Sequence, residues 1–333
     1  MNIFITGIAG FLGSHLADRM LELGHTVSGN DTLIGGYIEN VPSSAAFYKI
    51  DCCDIDSMTS AMKDVDVVFH CAATAHEGLS IFSPSFITRN IFEASVATIS
   101  AAIQNKVKRF VYCSSMARYG NQTAPFKESQ SPLPIDPYAV AKVAAEDVLK
   151  ILAPMNNMEW NIAIPHNIVG PRQRYDDPFR NVMSIMINRV LQGKPPIVYG
   201  DGSQVRCFSF IDDCIFCLER LALDPNLTGE TINIGPDEES ITIKQVAEMI
   251  CEELNFTDGI IYIPERPKEV KHATCDSSKA KELLNYKTST SFINGLRSTI
   301  EYIRERGTRP FDYSYPLEIV NEFTPETWSK RTM

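Results

Sequence analysis

Along the first half of the chain, short apolar runs alternate with longer stretches in which apolar residues recur every three or four positions. The runs at 3–6, 26–29, 65–71 and 109–113 predict strands, because they are short, rich in β-branched and aromatic residues, and bounded by turn residues. The stretches at 14–23 and 91–105 predict helices with one buried face. Strands separated by amphipathic helices cannot pair as tight hairpins, so the pattern predicts a parallel sheet covered on both faces. A turn-rich segment at 132–137 introduces a long helix at 138–152, and 160–164 predicts the next strand.

Beyond Gly170 this rhythm gives way to loops rich in Pro, Arg and Asp. Helices are predicted at 179–192, 212–221, 241–254, 277–284 and 292–306, with a strand at 232–235 returning to the sheet. The expected organisation is a first domain over 1–165 with returning segments near 208–240, a second lobe over 166–306, and a tail over 307–333. Phe311, Tyr313, Tyr315, Phe323 and Trp328 in that tail predict packing on the protein's own surface or on a subunit neighbour.

Composition then removes several function classes. With 44% hydrophobic and 22% charged residues over 333 positions, the chain is an ordinary globular one rather than disordered. A net charge of −10 argues against a nucleic-acid partner, since phosphate backbones are met by basic faces. No stretch approaches the ~20 apolar residues that span a bilayer, so no membrane partner is expected. The nine cysteines are scattered, and the N-terminal apolar run lacks a basic leader and holds His15, Asp18 and Arg19 where cleavage would fall. Reduced thiols and a cytoplasmic location are therefore expected. Cys214 and Cys217 share one face of a predicted helix and no second pair with zinc spacing follows, so they read as core and no metal is expected.

Chemistry enters at the N-terminus. Gly7-Ile8-Ala9-Gly10-Phe11-Leu12-Gly13 follows a strand and opens a helix. Glycines there allow a tight turn and close approach of backbone to a pyrophosphate, whose charge meets the free N–H groups of the helix. Asp31 ends the second strand, where a carboxylate accepts the adenosine ribose hydroxyls and repels a 2′-phosphate, so NAD is expected rather than NADP. Asp51 and Cys52 would bracket the adenine, and Cys71, Ala72 and Ala73 keep the next strand end small where the cofactor passes.

Tyr138 and Lys142 stand four apart on the predicted helix at 138–152 and so project from one face. A phenol titrates near ~10. An adjacent ammonium and a positive nicotinamide ring would lower it toward neutrality and make Tyr138 a base. Ser114 and Ser115 lie just past the strand at 109–113, at the sheet edge where ligands bind in open α/β folds, and one of them can hydrogen-bond the same substrate hydroxyl.

Taken with His70-Cys71-Ala72-Ala73, Tyr119-Gly120, Gly170-Pro171-Arg172-Gln173, Gly200-Asp201-Gly202 and Arg266-Pro267-Lys268-Glu269, these motifs make the chain resemble the extended short-chain dehydrogenase/reductase family. Within it, the chain resembles the nucleotide-sugar 4-epimerases, over roughly residues 1–306. The resemblance implies a Rossmann-type doubly wound α/β fold with a smaller C-terminal substrate lobe, bound NAD, and a homodimer paired through the helices near 91–105 and 138–152. It implies Ser115, Tyr138 and Lys142 as the catalytic set. Asn90, Ser114 and His166 join the cofactor site. Asn167, Arg206 and Arg266 would grip the nucleotide diphosphate, Tyr199 would stack on its base, Glu269 would take its ribose, and Met116, His76 and Glu77 would face the sugar. The sequence departs from the family pattern at Arg118, where an apolar residue is usual, at Cys207, where Asp is usual, and at His166, where an aromatic is common.

The implied reaction is epimerisation at C4, with the hydroxyl proton taken by Tyr138 and hydride held transiently by NAD. Met116 and Ala117 occupy the positions where 4,6-dehydratases of the family carry an acidic pair, and neither transfers protons. Ala273, with Asp276 anchoring the count, leaves room for an N-acetyl group at C2, which favours UDP-N-acetylglucosamine/UDP-N-acetylgalactosamine with UDP-glucose also accepted. His76 and Glu77 are both proton-transfer types and keep a second reading open, a dehydratase or a C5/C3 epimerase. A non-catalytic NAD sensor on the same fold is the remaining alternative, and the joint presence of Ser115, Tyr138 and Lys142 counts against it.

Overall fold

The computed structural model describes all 333 residues. Its first strand, Asn2–Thr6, pairs in parallel with Thr26–Asn30 on one side and Val67–His70 on the other. The sheet then grows outward in both directions. Ala46–Tyr48 closes one edge, while Arg109–Cys113, Glu159–Pro165 and finally Glu230–Ile234 extend the other. All seven strands are parallel, so the fold is a Rossmann-type doubly wound α/β sheet. The strand order reverses at Asn2–Thr6, and the crevice opens at the carboxyl ends of that strand and Val67–His70.

Alternation along the strands explains why both faces are covered. Ile3 and Ile5 enter one core with Leu16 and Met20 of helix Phe11–Glu22 and Cys214, Cys217 and Leu218 of helix Ile211–Leu223. Phe4 points the other way, into a core with Ile99 of helix Ala94–Gln104 and Leu149 of helix Pro137–Met155. Cys214 and Cys217 thus pack in the core, as their spacing predicts. A third core, with Met186, Val246, Leu296 and Ile300, is drawn from the chain beyond Val169. No helix is long and apolar enough to cross a membrane.

Three element boundaries differ from the sequence pattern, each for a local reason. The helix expected at 179–192 spans Val182–Leu191, because Asn181 is left-handed (φ 66°) and cannot be part of it. The stretch expected as one helix over 241–254 splits. Ile241–Thr242 pairs with Val205–Arg206, and the helix Ile243–Glu253 starts at a capping box formed by Thr242 and Gln245. The helix expected at 91–105 begins as a π-turn over Arg89–Glu93 before continuing as Ala94–Gln104.

The tail packs on the protein itself. Trp328 and Tyr315 are buried beside Phe179 and Tyr138, while Met333 packs with Ile185 and Ile197.

Candidate active site

One cavity of about 460 Å³ runs from the glycine loop across the sheet edge to the second lobe. Every residue nominated above lines it except His166. The chain leaving strand Glu159–Pro165 presents Pro165 and Asn167 to the cavity, and alternation turns the ring of His166 the opposite way, fully buried, toward Asn233. His166 therefore does not belong to the cofactor pocket. It meets Cys207 instead, so two of the positions departing from the family pattern lie together.

At the cofactor end the backbone forms a cradle. Gly7 is left-handed (φ 70°), and a Cβ there would stand 2.9 Å from the Ala72 Cα. A side chain on Gly13 would overlap the Gly7 carbonyl. Helix Phe11–Glu22 starts at Gly10 with no side-chain cap, leaving its first N–H groups for a ligand anion. The Asp31 carboxylate accepts from the Leu33 N–H (2.7 Å) and the Ala9 N–H (3.1 Å), which fixes it at the strand end. Asp51 accepts from the Cys53 N–H and from Arg89, and Asn30 donates to the Cys52 sulfur. Asn90 donates to the Phe86 carbonyl. Uncapped amides, a glycine turn that excludes side chains and an anchored carboxylate are the donor and acceptor set that NAD requires.

At the sheet edge the two serines separate in role. Ser114 donates to Glu146, which is fully buried and also paired with Arg118 (3.1 Å). Arg118, the unexpected charge before Tyr119, is thus the counter-ion of a buried carboxylate. Ser115 accepts from the Ala117 N–H and opposes the rise in the Tyr138 pKa by hydrogen bonding. The phenol of Tyr138 is nevertheless pushed up, by burial first and then by the charge of Glu77. The lowering expected for this phenol requires the positive nicotinamide ring together with Lys142. Its ammonium donates to the Cys113 carbonyl (2.7 Å) and lies 5.0 Å from the Tyr112 ring, and burial brings its own pKa down to about 8.

Glu77 and His76 behave differently although adjacent. His76 donates through Nε2 to Asp177 (2.7 Å), both buried, and its ring lies 4.7 Å from that of Tyr315, so its outer nitrogen is committed to structure. Glu77 projects into the cavity with its side chain open to the cavity space, and desolvation by the surrounding walls followed by Asp136 raises its carboxyl to about 7, against the pull of Arg206 and Arg266. At the far end, Glu269 sits between the arginines, 2.6 Å from Arg266 and 3.8 Å from Arg206, and the Arg266 guanidinium lies 4.8 Å from the Tyr199 ring. Asn167 donates to the Cys207 carbonyl (2.9 Å) and approaches the Met116 sulfur (3.6 Å). Ala273 is fully buried, paired along its strand with Arg206.

Sequence reasoning missed Arg180, Tyr315 and Met333, which also line the cavity. Arg180 counters the rise in the Tyr138 pKa and lies 3.6 Å from Asp177. None of the three carries a local motif. The arginine lies in an irregular loop and the other two in the tail, so only folding brings them to the site.

Comparison with known proteins agrees with this geometry. The NAD dependent epimerase/dehydratase family matches residues 3–235. A UDP-N-acetyl-alpha-D-glucosaminuronate decarboxylase of Bacillus cytotoxicus is 32% identical over 90% of this chain and 97% of its own length. A UDP-glucose 4-epimerase of Thermotoga maritima, solved with UDP-glucose, is similar at a TM-score of 0.87 and 30% identity, over 92% of this chain and 99% of that one. A UDP-N-acetylglucosamine 4-epimerase of Methanobrevibacter ruminantium, solved with UDP-N-acetylmuramic acid, is similar at a TM-score of 0.85 and 30% identity, over 92% and 99%. The cradle, the Ser-Tyr-Lys cluster and these matches together place the chain in the NAD-dependent epimerase/dehydratase family, among NAD-using nucleotide-sugar enzymes.

Proposed function

We propose that this protein is a nucleotide-sugar 4-epimerase that interconverts UDP-N-acetylglucosamine and UDP-N-acetylgalactosamine and also accepts UDP-glucose. The observation that carries the reading is the convergence of Ser115, Tyr138 and Lys142 on one cavity while positions 116 and 117 offer only Met and Ala. Bound NAD supplies a hydride acceptor that returns what it takes. Ser115 orients the 4-hydroxyl, and Tyr138 Oη takes its proton and later gives it back. Lys142, held by the Cys113 carbonyl, keeps N–H donors for the cofactor ribose and supplies the positive charge that opposes burial of the phenolate. Arg206 and Arg266 hold the diphosphate, with Glu269 fixing both guanidiniums. Ala273 supports room at C2, and the likeness to an enzyme named for UDP-N-acetylglucosamine agrees with it.

Glu77 favours a second reading in which a proton is also moved at C5 or C3, because a carboxyl titrating at about 7 beside the sugar position is suited to that task. Incubation of the purified protein with UDP-N-acetylglucosamine, followed by NMR, separates the two. Appearance of UDP-N-acetylgalactosamine without solvent deuterium at C5 supports 4-epimerisation, whereas a keto, vinyl or C5-deuterated product overturns it. Tyr138→Phe should retain NAD and lower kcat by about 100- to 10,000-fold. Full activity in that variant sinks the mechanism. The homodimer is part of the same reading, supported by exposed Phe92, Val140, Ile151 and Met155 near and along the two helices expected to pair. So is the cytoplasmic location, supported by nine free cysteines.

A further inference from the structure

We propose that His166, Cys207 and Cys275 form a binding site for a soft d10 metal ion, zinc in the first instance. The three residues are far apart in sequence and each is at most 1% exposed. Their ligating atoms all lie within 4.8 Å of one another, and the two sulfurs are 4.0 Å apart. A tetrahedral zinc with Zn–S near 2.3 Å and Zn–N near 2.0 Å holds its ligand atoms about 3.5–3.8 Å apart. The cluster is therefore close to that spacing, and small side-chain rotations complete it.

The surroundings fit a metal better than they fit three neutral side chains. Nδ1 of His166 is buried with no hydrogen-bond partner, which is costly unless something accepts its lone pair or proton. Its other nitrogen, Nε2, faces Asn233 Oδ1 at 3.4 Å, an acceptor that fixes the tautomer with the proton on Nε2 and the lone pair on Nδ1. Gly235 makes room for the group, since a Cβ there would stand 3.0 Å from the His166 Cβ and 3.2 Å from the Cys275 sulfur. The Cys275 thiol donates to the Pro236 carbonyl (3.7 Å), a contact that loss of the thiol proton to a metal would release. Binding releases the two thiol protons to solvent, and two thiolates with one divalent cation leave no net charge to bury.

The location gives the site a purpose. His166 leaves the end of the central sheet between two cavity residues, whereas Cys207 follows Arg206 and Cys275 lies just beyond Ala273. The Cys207 carbonyl is also the acceptor for Asn167. A metal here clamps the sheet edge to the strands that carry the diphosphate-binding arginine, so it acts on the grip of the substrate without touching the reacting atoms.

The test is metal uptake by the full-length protein after chelation under reducing conditions. Titration with zinc should give about one equivalent per chain that survives gel filtration, together with a rise in Tm. Cobalt should give intense thiolate charge-transfer absorption and tetrahedral visible bands. Cys207→Ser and Cys275→Ser should each abolish the charge-transfer signal or halve it, and Cys217→Ser should leave it unchanged. X-ray absorption on the wild-type zinc protein, which does not depend on any variant folding, should show two sulfurs in the metal shell. Failure to retain zinc, a shell of nitrogen and oxygen only, or a signal that stays at full strength in both cysteine variants overturns the proposal. Formation of a Cys207–Cys275 disulfide in air with no metal uptake overturns it as well. None of these readouts uses turnover, so they stand apart from the choice of sugar.

Discussion

Glu77 shows how a single side chain is set by its neighbours rather than by its type. Held protonated up to about pH 7 in the folded protein and only to about 4.5 in an ordinary setting, it binds an extra proton on folding between those values. Stability associated with this group is thus fully present below pH 4.5 and is lost as the pH rises through 7. Glu77→Gln should therefore flatten the decline of Tm between pH 5 and pH 7.5, measured by calorimetry; an unchanged decline would mean that Glu77 ionises normally. The same variant tests its chemistry. If the reaction stops at C4, the enzyme keeps most of its kcat and loses only a pH limb near 7, whereas a second proton transfer would collapse with the carboxyl.

At the scale of elements, two junctions carry the site. The turn from strand Asn2–Thr6 into helix Phe11–Glu22 works because Gly7 takes a left-handed conformation that costs other residues energy and lies against Ala72, where a Cβ has no room. Gly7→Ala must bear about 1–2 kcal/mol for the left-handed backbone and displace the strand end carrying Ala72. It should lower Tm and remove NAD from the purified protein, which the absorbance of the released cofactor would show. The second junction joins the short helix Met116–Tyr119 to helix Pro137–Met155 through Arg118 and the buried Glu146. Arg118→Met leaves that carboxylate with Lys150 at 3.4 Å and Ser114 as its remaining partners, and should cost about 3 kcal/mol of stability by denaturant unfolding. A variant as stable as the parent would show that Lys150 alone neutralises Glu146.

At the scale of the whole molecule, the tail is a wall of the site. Trp328 packs against Phe82 and Phe179, Thr327 bonds the Tyr199 hydroxyl (2.6 Å), and Tyr315 and Met333 line the cavity. Trp328→Ala opens a large void in the cluster that also contains Tyr138, and should destabilise by about 3–5 kcal/mol. KM for the nucleotide sugar should rise more than kcat falls, because the tail touches Tyr199 rather than Ser115. Equal losses in both would place the tail's influence at the reacting end instead.

The sequence by itself determined what depends on neighbours along the chain. Period-two and period-3.6 patterns specify strands and helices, glycine spacing specifies a phosphate cradle, and Tyr138 and Lys142 share a helix face by geometry alone. Such features were legible because backbone sterics act over a few residues. Tertiary structure alone decided the rest. His166 turned from the cofactor to Cys207 and Cys275, His76 was claimed by Asp177, and Arg180 and the tail were carried to the cavity. It also set burial and Glu77 against the lowering expected for the Tyr138 phenol, since both act through space and leave no trace in spacing. Packing brings together residues separated by a hundred positions or more, and their charges and orphaned hydrogen bonds exist only once it has done so.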